Sequence, residues 1–380
     1  MNKLIIVGNG FDIHNNLPTK YTDFLIWYLT KCFKNTVENE ETFSELIELS
    51  YTKIFQGYNC REIKDYKDIA MWLIEEFDFE SSGSSPDFIS NQIMFKLHVT
   101  SKSELFLRLM THQQERNWVD IEMAYYKLLK ECLSLFNISG KEKDAEKRLE
   151  KINSDFELLK TNLHEYLEIV SKDAIIDYNL DYCAESLMDS KIIIDKHHLK
   201  NIPDDDFEDL RYIKPKDITI LNFNYTGLPY KLSRRSYNHI DIHGSVRHHR
   251  SPIIFGFGDE IDSDYLEMEK TNNNDFLTYI KSFGYFNDTN YKKLIDFIDA
   301  DSYVVYIWGH SCGLSDRTLL NMIFEHDNCA AIKPYYWQKD VNTNNYLEIT
   351  QNISRHFRNK QKMRNRVVNK EFCAPLGSQS

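Results

Sequence analysis

With 380 residues, 42% apolar and 27% charged, the chain has room for roughly two domains, or for one α/β domain with a large insertion, around a substantial core. A net charge of −12, from 46 basic and 58 acidic side chains, argues against broad nucleic-acid binding. Seven scattered cysteines without a C-x-x-C pair give no zinc framework, the first apolar run stops at Gly8, too short for a signal peptide, and no stretch nears the ~20 apolar residues of a membrane span, so a cytoplasmic protein with reduced thiols and no membrane contact is expected.

Leu4, Ile5, Ile6 and Val7 form an unbroken apolar run rich in β-branched residues, the pattern of a strand covered on both faces. Gly8-Asn9-Gly10-Phe11-Asp12 follows directly. Two glycines one residue apart at the carboxyl end of a buried strand permit a sharp turn and a close approach to a ligand, usually a pyrophosphate. Ile13 stands where the dinucleotide fingerprint has its third glycine, so a turn that merely packs strand on loop fits about as well.

Apolar spacing of three and four from Tyr21 to Phe33 predicts a helix, with Thr19 as its cap. Residues 34–189 then read as an α-helical insertion. Its amphipathic stretches are Phe43 to Phe55, Ile69 to Phe79, Trp118 to Phe136 and Asp144 to Val170, the last with Leu149, Ile152, Phe156, Leu159, Leu163 and Leu167 at helical intervals. Ser81 to Pro86 reads as a loop inside it. Trp118-Val119-Asp120-Ile121-Glu122 places two carboxylates two apart, on different faces of a helix, which suits capping or a salt bridge better than paired acid/base work.

Strand patterns return at Lys191 to Ile194, at Asp217 to Thr226 (after an acidic loop, Asp204 to Asp209), at His239 to Gly244, at Ile253 to Gly256 and at Tyr303 to Ser311. Short buried strands separated by helical lengths predict a doubly wound, mostly parallel sheet, whose ligands bind beyond the carboxyl ends of the strands. Asn224-Tyr225-Thr226, His243-Gly244 and His310-Ser311 fall at those ends. Arg355 to Lys370 holds seven basic residues and no acid, behind the helical spacing of Ile349, Ile353 and Phe357; it suits a solvated tail, or a nucleic-acid or partner contact. Ala374 to Ser380 reads as disordered.

His243 reads either as a neutral imidazole base near pH 7 or as a turn histidine bonded to backbone. Asn224 reads either as an amide that positions water or as an Asx turn. His239 and His243 share a strand face but stand ~13 Å apart, a poor metal pair unless His248 and His249 join them. Gly309-His310-Ser311-Cys312-Gly313 satisfies the nucleophile elbow of serine hydrolases, with Asp340 and His356 behind Ser311 in the right order. Only 69 residues follow Ser311, little room for strands bearing both partners, and that reading leaves the Gly8–Gly10 turn without a job.

Gly8-Asn9-Gly10-Phe11-Asp12 followed by Leu17-Pro18-Thr19-x-Tyr21-x-x-Phe24 resembles the AbiH family of bacterial abortive-infection proteins. Asn222-Phe223-Asn224-Tyr225-Thr226, Ile242-His243-Gly244, Gly309-His310-Ser311-x-Gly313-x-x-Asp316 and Trp118-x-Asp120-x-Glu122 are similar to its later motifs. The resemblance extends, more distantly, to the sirtuin-type NAD-binding fold.

It implies a Rossmann- or sirtuin-like core at 1–33 and 190–340, the helical insertion at 34–189, and a C-terminal helix and basic tail at 341–380. It also implies antiphage defence through NAD, as substrate and with no cofactor required, cleaved at its N-glycosidic bond. Gly8, Asn9, Gly10, Phe11, Thr226, Gly309, His310, Ser311 and Asp316 would line the nucleotide. Asn224 would orient water or ribose, and His243 would be the general base. Asp12, the third catalytic candidate, replaces a hydroxyl residue; a ribose hydroxyl, a metal or a backbone N–H are its other partners. No cysteine quartet exists, which argues against protein deacylation. A toxic NADase needs restraint until infection, so a phage-derived or host trigger and a homo-oligomeric assembly step join the nucleotide as expected partners. A non-catalytic nucleotide-sensing module is the further reading.

Overall fold

Leu4 to Val7 lie at the centre of a strand in which every residue from Asn2 to Val7 is buried. A computed structural model describes residues 1–39, 42–55, 60–77, 87–90, 93–111, 118–177, 215–232, 237–247 and 252–377. Its strands, in chain order, are β1 (Asn2–Val7), β2 (Phe43–Ser44), β3 (Ile47–Ile54), β4 (Arg61–Glu62), β5 (Asp87–Ser90), β6 (Ile93–Ser101), β7 (Ile218–Asn222), β8 (Asn238–Asp241), β9 (Tyr303–Trp308) and β10 (Cys329–Tyr335). Two compact units result: Met1–Pro18, Leu167–Leu266 and Tyr279–Ser380 form the first, Thr19–Tyr166 and Glu267–Thr278 the second. The sequence candidates Ser81 to Pro86, Lys191 to Ile194, Asp204 to Asp209 and His248-His249 fall outside the described residues.

The first unit is mixed α/β around a parallel sheet of order β10-β9-β1-β7-β8. The side-chain period of two explains why it is covered on both faces. Leu4, Ile6, Leu221, Ile240, Val305, Ile307 and Ile332 join one core. Ile5, Val7, Ile220, Val304, Tyr306, Trp308 and Ala331 join the other. Each such side chain contributes roughly 1.5–3 kcal/mol on burial, so neither face can be exposed. From β1 the winding runs outward through β7 and β8, then reverses to add β9 and β10. The winding reverses between β1 and β9, and ligands of such sheets bind near the carboxyl ends of the strands at the reversal.

Ile253 to Gly256 is not a strand. It forms no ladder, although the Ile254 N–H donates to the His243 carbonyl (2.8 Å) and buries the segment. The tail also departs from expectation. Helices Tyr346–Arg355 and Lys360–Arg366 belong to the first unit, and Ile349, Ile353 and Phe357 are in its core. Ala374 to Gly377 is ordered: Pro375 bridges Tyr336, and the Leu376 N–H donates to the Tyr336 carbonyl (2.9 Å). Basic residues of this segment close a helix end, with the Lys362 ammonium on the Glu325 carbonyl (3.0 Å) and the Arg366 guanidinium on the Phe324 carbonyl (2.6 Å).

The second unit carries a second sheet, of order β2-β3-β6-β5-β4. Phe43 to Phe55 therefore corrects the all-helical reading. Ile47 and Leu49 are buried two apart on β3, and Leu49 and Tyr51 oppose Val99 and Leu97 across an antiparallel ladder. The helices there are Tyr21–Asn39, Tyr66–Glu75, Glu104–Thr111, Trp118–Phe136 and Glu142–Ser171, the last running on into the first unit. Asp65 and Asp68 form a capping box at the second of these, and Arg108 and Arg148 bridge Glu104 and Glu131. All six apolar residues expected from Leu149 to Leu167 are buried. No helix among the described residues is long and apolar enough to cross a membrane.

Candidate functional site

The rim begins where β1 ends. The Gly8 N–H donates to the Trp308 carbonyl (3.0 Å), and the Gly10 N–H to the Gly309 carbonyl (2.8 Å). A Cβ on Gly8 would lie 2.5 Å from the His310 Cα, and one on Gly10 2.8 Å from the Gly309 Cα. Gly309 itself has φ +67°, and its Cβ would meet the Phe11 N at 2.2 Å. These glycines lock the loops after β1 and β9 together, and the Gly8 and Gly10 amides are spent on backbone rather than turned toward an anion. Phe11, buried, stacks on Trp308 with centroids 6.3 Å apart. Asn9 opens the six-residue helix Asn9–His14.

Asp12, one turn into that helix, is buried. Its Oδ2 accepts from the Thr226 hydroxyl (2.7 Å), while Oδ1 has no hydrogen-bond partner. Burial pushes its carboxyl up to about 7, with Thr226 and Asn224 pulling against it. The Asn224 Nδ2 donates across the rim to the Gly8 carbonyl (3.1 Å). The Asx turn falls to Asn222, whose Oδ1 accepts from the Asn224 N–H (3.0 Å) and whose Nδ2 donates to Asp241 Oδ1 (2.9 Å). That bond fixes the Asn222 amide and leaves the Asn224 side chain to cross from β7 to β1.

A second cluster adjoins the first. Asp316 is buried and faces two imidazoles and an ammonium: His243 Nε2 lies 3.3 Å from Oδ1, His310 Nε2 3.6 Å from Oδ2, and Lys281 Nζ 2.7 Å from Oδ1. The His243 approach is a close contact rather than an aligned hydrogen bond. Burial works against the charge on Asp316, yet Lys281, then His243 and His310, hold its carboxyl well below the usual carboxylate range. Burial, aided by the Lys281 charge, pushes His243 down to about 4. The Cys312 N–H donates to His310 Nδ1 (3.0 Å), which fixes the His310 proton on Nε2, toward Asp316. Phe223 joins the clusters, its ring edge-on to His243 (5.0 Å) and to His310 (4.3 Å).

The chain thus brings Gly8, Gly10, Asp12, Asn224, Thr226, His243, Gly309, His310 and Asp316 to one rim at the carboxyl ends of the sheet. Lys281 is the residue that sequence reasoning missed: it stands 35 positions from Asp316 in a stretch without a motif. Ser311 is exposed, and its carbonyl accepts from Asn352 Nδ2 (2.8 Å). The hydrolase triad is not assembled. Asp340 is exposed and caps its own turn at the Asn342 and Thr343 amides, and His356 Nε2 bonds the Cys312 carbonyl (2.8 Å). The left-handed residues after β9 are Gly309 (φ +67°) and Cys312 (φ 53°), not Ser311, so the serine does not sit at a strained elbow. Glu122 is buried within the second unit.

No curated protein and no solved structure shows significant similarity to the chain. A family model described as Bacteriophage abortive infection AbiH matches residues 4–337 and spans every strand-end motif described above. The chain belongs to this AbiH family, and with it to the proteins of abortive infection, a defence against bacteriophage.

Proposed function

We propose that the rim binds a nucleotide, NAD, and hydrolyses its nicotinamide–ribose bond. The observation that supports this most is the side-by-side placement of two chemistries at the reversal of a parallel sheet. One is a buried Asp12 carboxyl with an unpartnered oxygen beside Asn224; the other is an uncharged His243 held against Asp316.

Water attacks C1′ of the nicotinamide ribose as the C–N bond breaks. The bonding pair leaves with neutral nicotinamide, and the water proton passes to His243, which is uncharged near pH 7. With Nε2 packed against Asp316 at 3.3 Å, Nδ1 is the ring nitrogen that takes the proton. Asn224, anchored through Nδ2 on Gly8, keeps its Oδ1 as the acceptor that orients the water. Asp12 Oδ1 accepts a ribose hydroxyl. Because the Gly8 and Gly10 amides are engaged, recognition rests on the sugar and on these side chains more than on pyrophosphate.

Nicotinamide release from NAD by the purified chain tests the reading. Release that is lost in His243→Ala and Asn224→Ala and kept in Ser311→Ala supports it. Loss only in Ser311→Ala would favour the serine hydrolase. Nucleotide binding without turnover would favour a sensing module that acts through a partner.

A further inference from the structure

Lys281 opens the short helix Lys281–Gly284 and is buried to 2% exposure. Its backbone is pinned: its N–H donates to the Phe257 carbonyl (3.0 Å), and Ile280 bridges Phe257. Its ammonium reaches Asp316 Oδ1 at 2.7 Å, the same oxygen that His243 Nε2 meets at 3.3 Å. One carboxylate therefore faces an ammonium and two imidazoles: Lys281, His243 and His310. An isolated charge at this depth is costly, so a single positive partner is the favoured state. Lysine, the most basic of the three, takes that place.

We propose that Lys281 is a positioning residue: by occupying the Asp316 oxygen that faces His243, its ammonium satisfies the carboxylate and keeps the His243 imidazole an uncharged base. The inference rests on the reading of His243 as the base, and goes beyond it in naming what sets the protonation state. The other titratable groups facing His243 are His310, through Asp316, and the phenols of Tyr225 and Tyr285, stacked at 6.2 and 6.4 Å. Among the described residues, the ammonium within ion-pair distance of Asp316 is that of Lys281, at 2.7 Å. Without it, the Asp316 charge falls to the imidazoles, and His243 binds a proton under conditions where it is otherwise bare.

The test is an NMR titration of the histidine rings in the full chain without NAD, with the His243 signal assigned by its loss in His243→Gln. The wild-type ring is expected to stay neutral from pH 8 down to about pH 5. In Lys281→Met and in Lys281→Gln, which retains a hydrogen-bond donor for Asp316, the midpoint should rise by about one pH unit or more. Lys281→Arg should restore the wild-type titration. The acid limb of kcat/KM should move with the ring, which a merely structural lysine would not cause. An unchanged His243 titration in a folded Lys281→Gln overturns the proposal, as does a wild-type His243 that is protonated at pH 7. Because the titration needs no substrate, a chain that releases no nicotinamide but shows the shift would refute the catalytic reading and leave the role of Lys281 standing.

Discussion

Gly8 and His310 meet backbone to backbone: a Cβ on the glycine would stand 2.5 Å from the histidine Cα. The first glycine motif is thus a packing requirement as well as a turn. Gly8→Ala should destabilise the chain by roughly 1–3 kcal/mol through overpacking. Gly309→Ala should cost at least as much, since it adds a left-handed backbone to the clash. Gly140→Ala, with φ +81° and no atom within 4 Å, should cost only about 1 kcal/mol. Urea unfolding of the three variants gives the ranking, and a Gly8→Ala chain as stable as wild type would contradict the close approach of the two loops.

The buried Asp12 makes stability fall with rising pH. Its folded pKa, about 7, lies above the unfolded value of 3.8, so the folded chain holds the extra proton between these limits. Ionisation then costs the folded state up to roughly 4 kcal/mol by pH 8. Asp12→Asn, which keeps an oxygen for Thr226, should match wild type near pH 4 and exceed it increasingly toward pH 8. Thermal unfolding across this range checks it, and a pH-independent difference would count against the buried, partly unpartnered carboxyl.

His243 and His356 act in the opposite sense. Both are pushed from 6.5 to about 4 by burial, so the unfolded chain binds the extra protons between pH 6.5 and 4. Each contributes stability that is full above pH 6.5 and declines by up to about 1.4 kcal/mol per pH unit as pH falls toward 4. His356→Gln should flatten this acid decline by about one proton, read from the slope of unfolding free energy against pH. A slope unchanged by the substitution would mean that His356 is already protonated in the folded chain.

Serine-directed reagents offer a further check. A fluorophosphonate should leave Ser311 unlabelled, and Asp340→Ala, which removes the cap of its own turn and nothing at the rim, should leave nicotinamide release intact. Stoichiometric labelling at Ser311 would restore the hydrolase reading.

The central strands were legible because both faces are buried, so Leu4 to Val7 and Tyr303 to Trp308 appear as unbroken apolar runs. β10 was not, because Lys333 and Pro334 interrupt it; as an edge strand, bridged on its outer side at Ile332–Val367 but not at Pro334, it tolerates a proline that a central strand would reject. Phe43 to Phe55 misled because apolar residues there also satisfy helical spacing, and the choice falls to the partner strand Ile93–Ser101. The rim was legible where strand-end polar residues mark it, at Asn224, His243 and His310. Lys281 was not, since its meaning lies in an ion pair that only the fold creates.

The most direct test of the account is a crystal of the chain soaked with ADP-ribose. Density for the terminal ribose within hydrogen-bonding reach of Asp12 Oδ1 and Asn224, with C1′ facing His243, is the predicted result. A ligand bound away from these residues, or no ligand at saturating concentration, would contradict it.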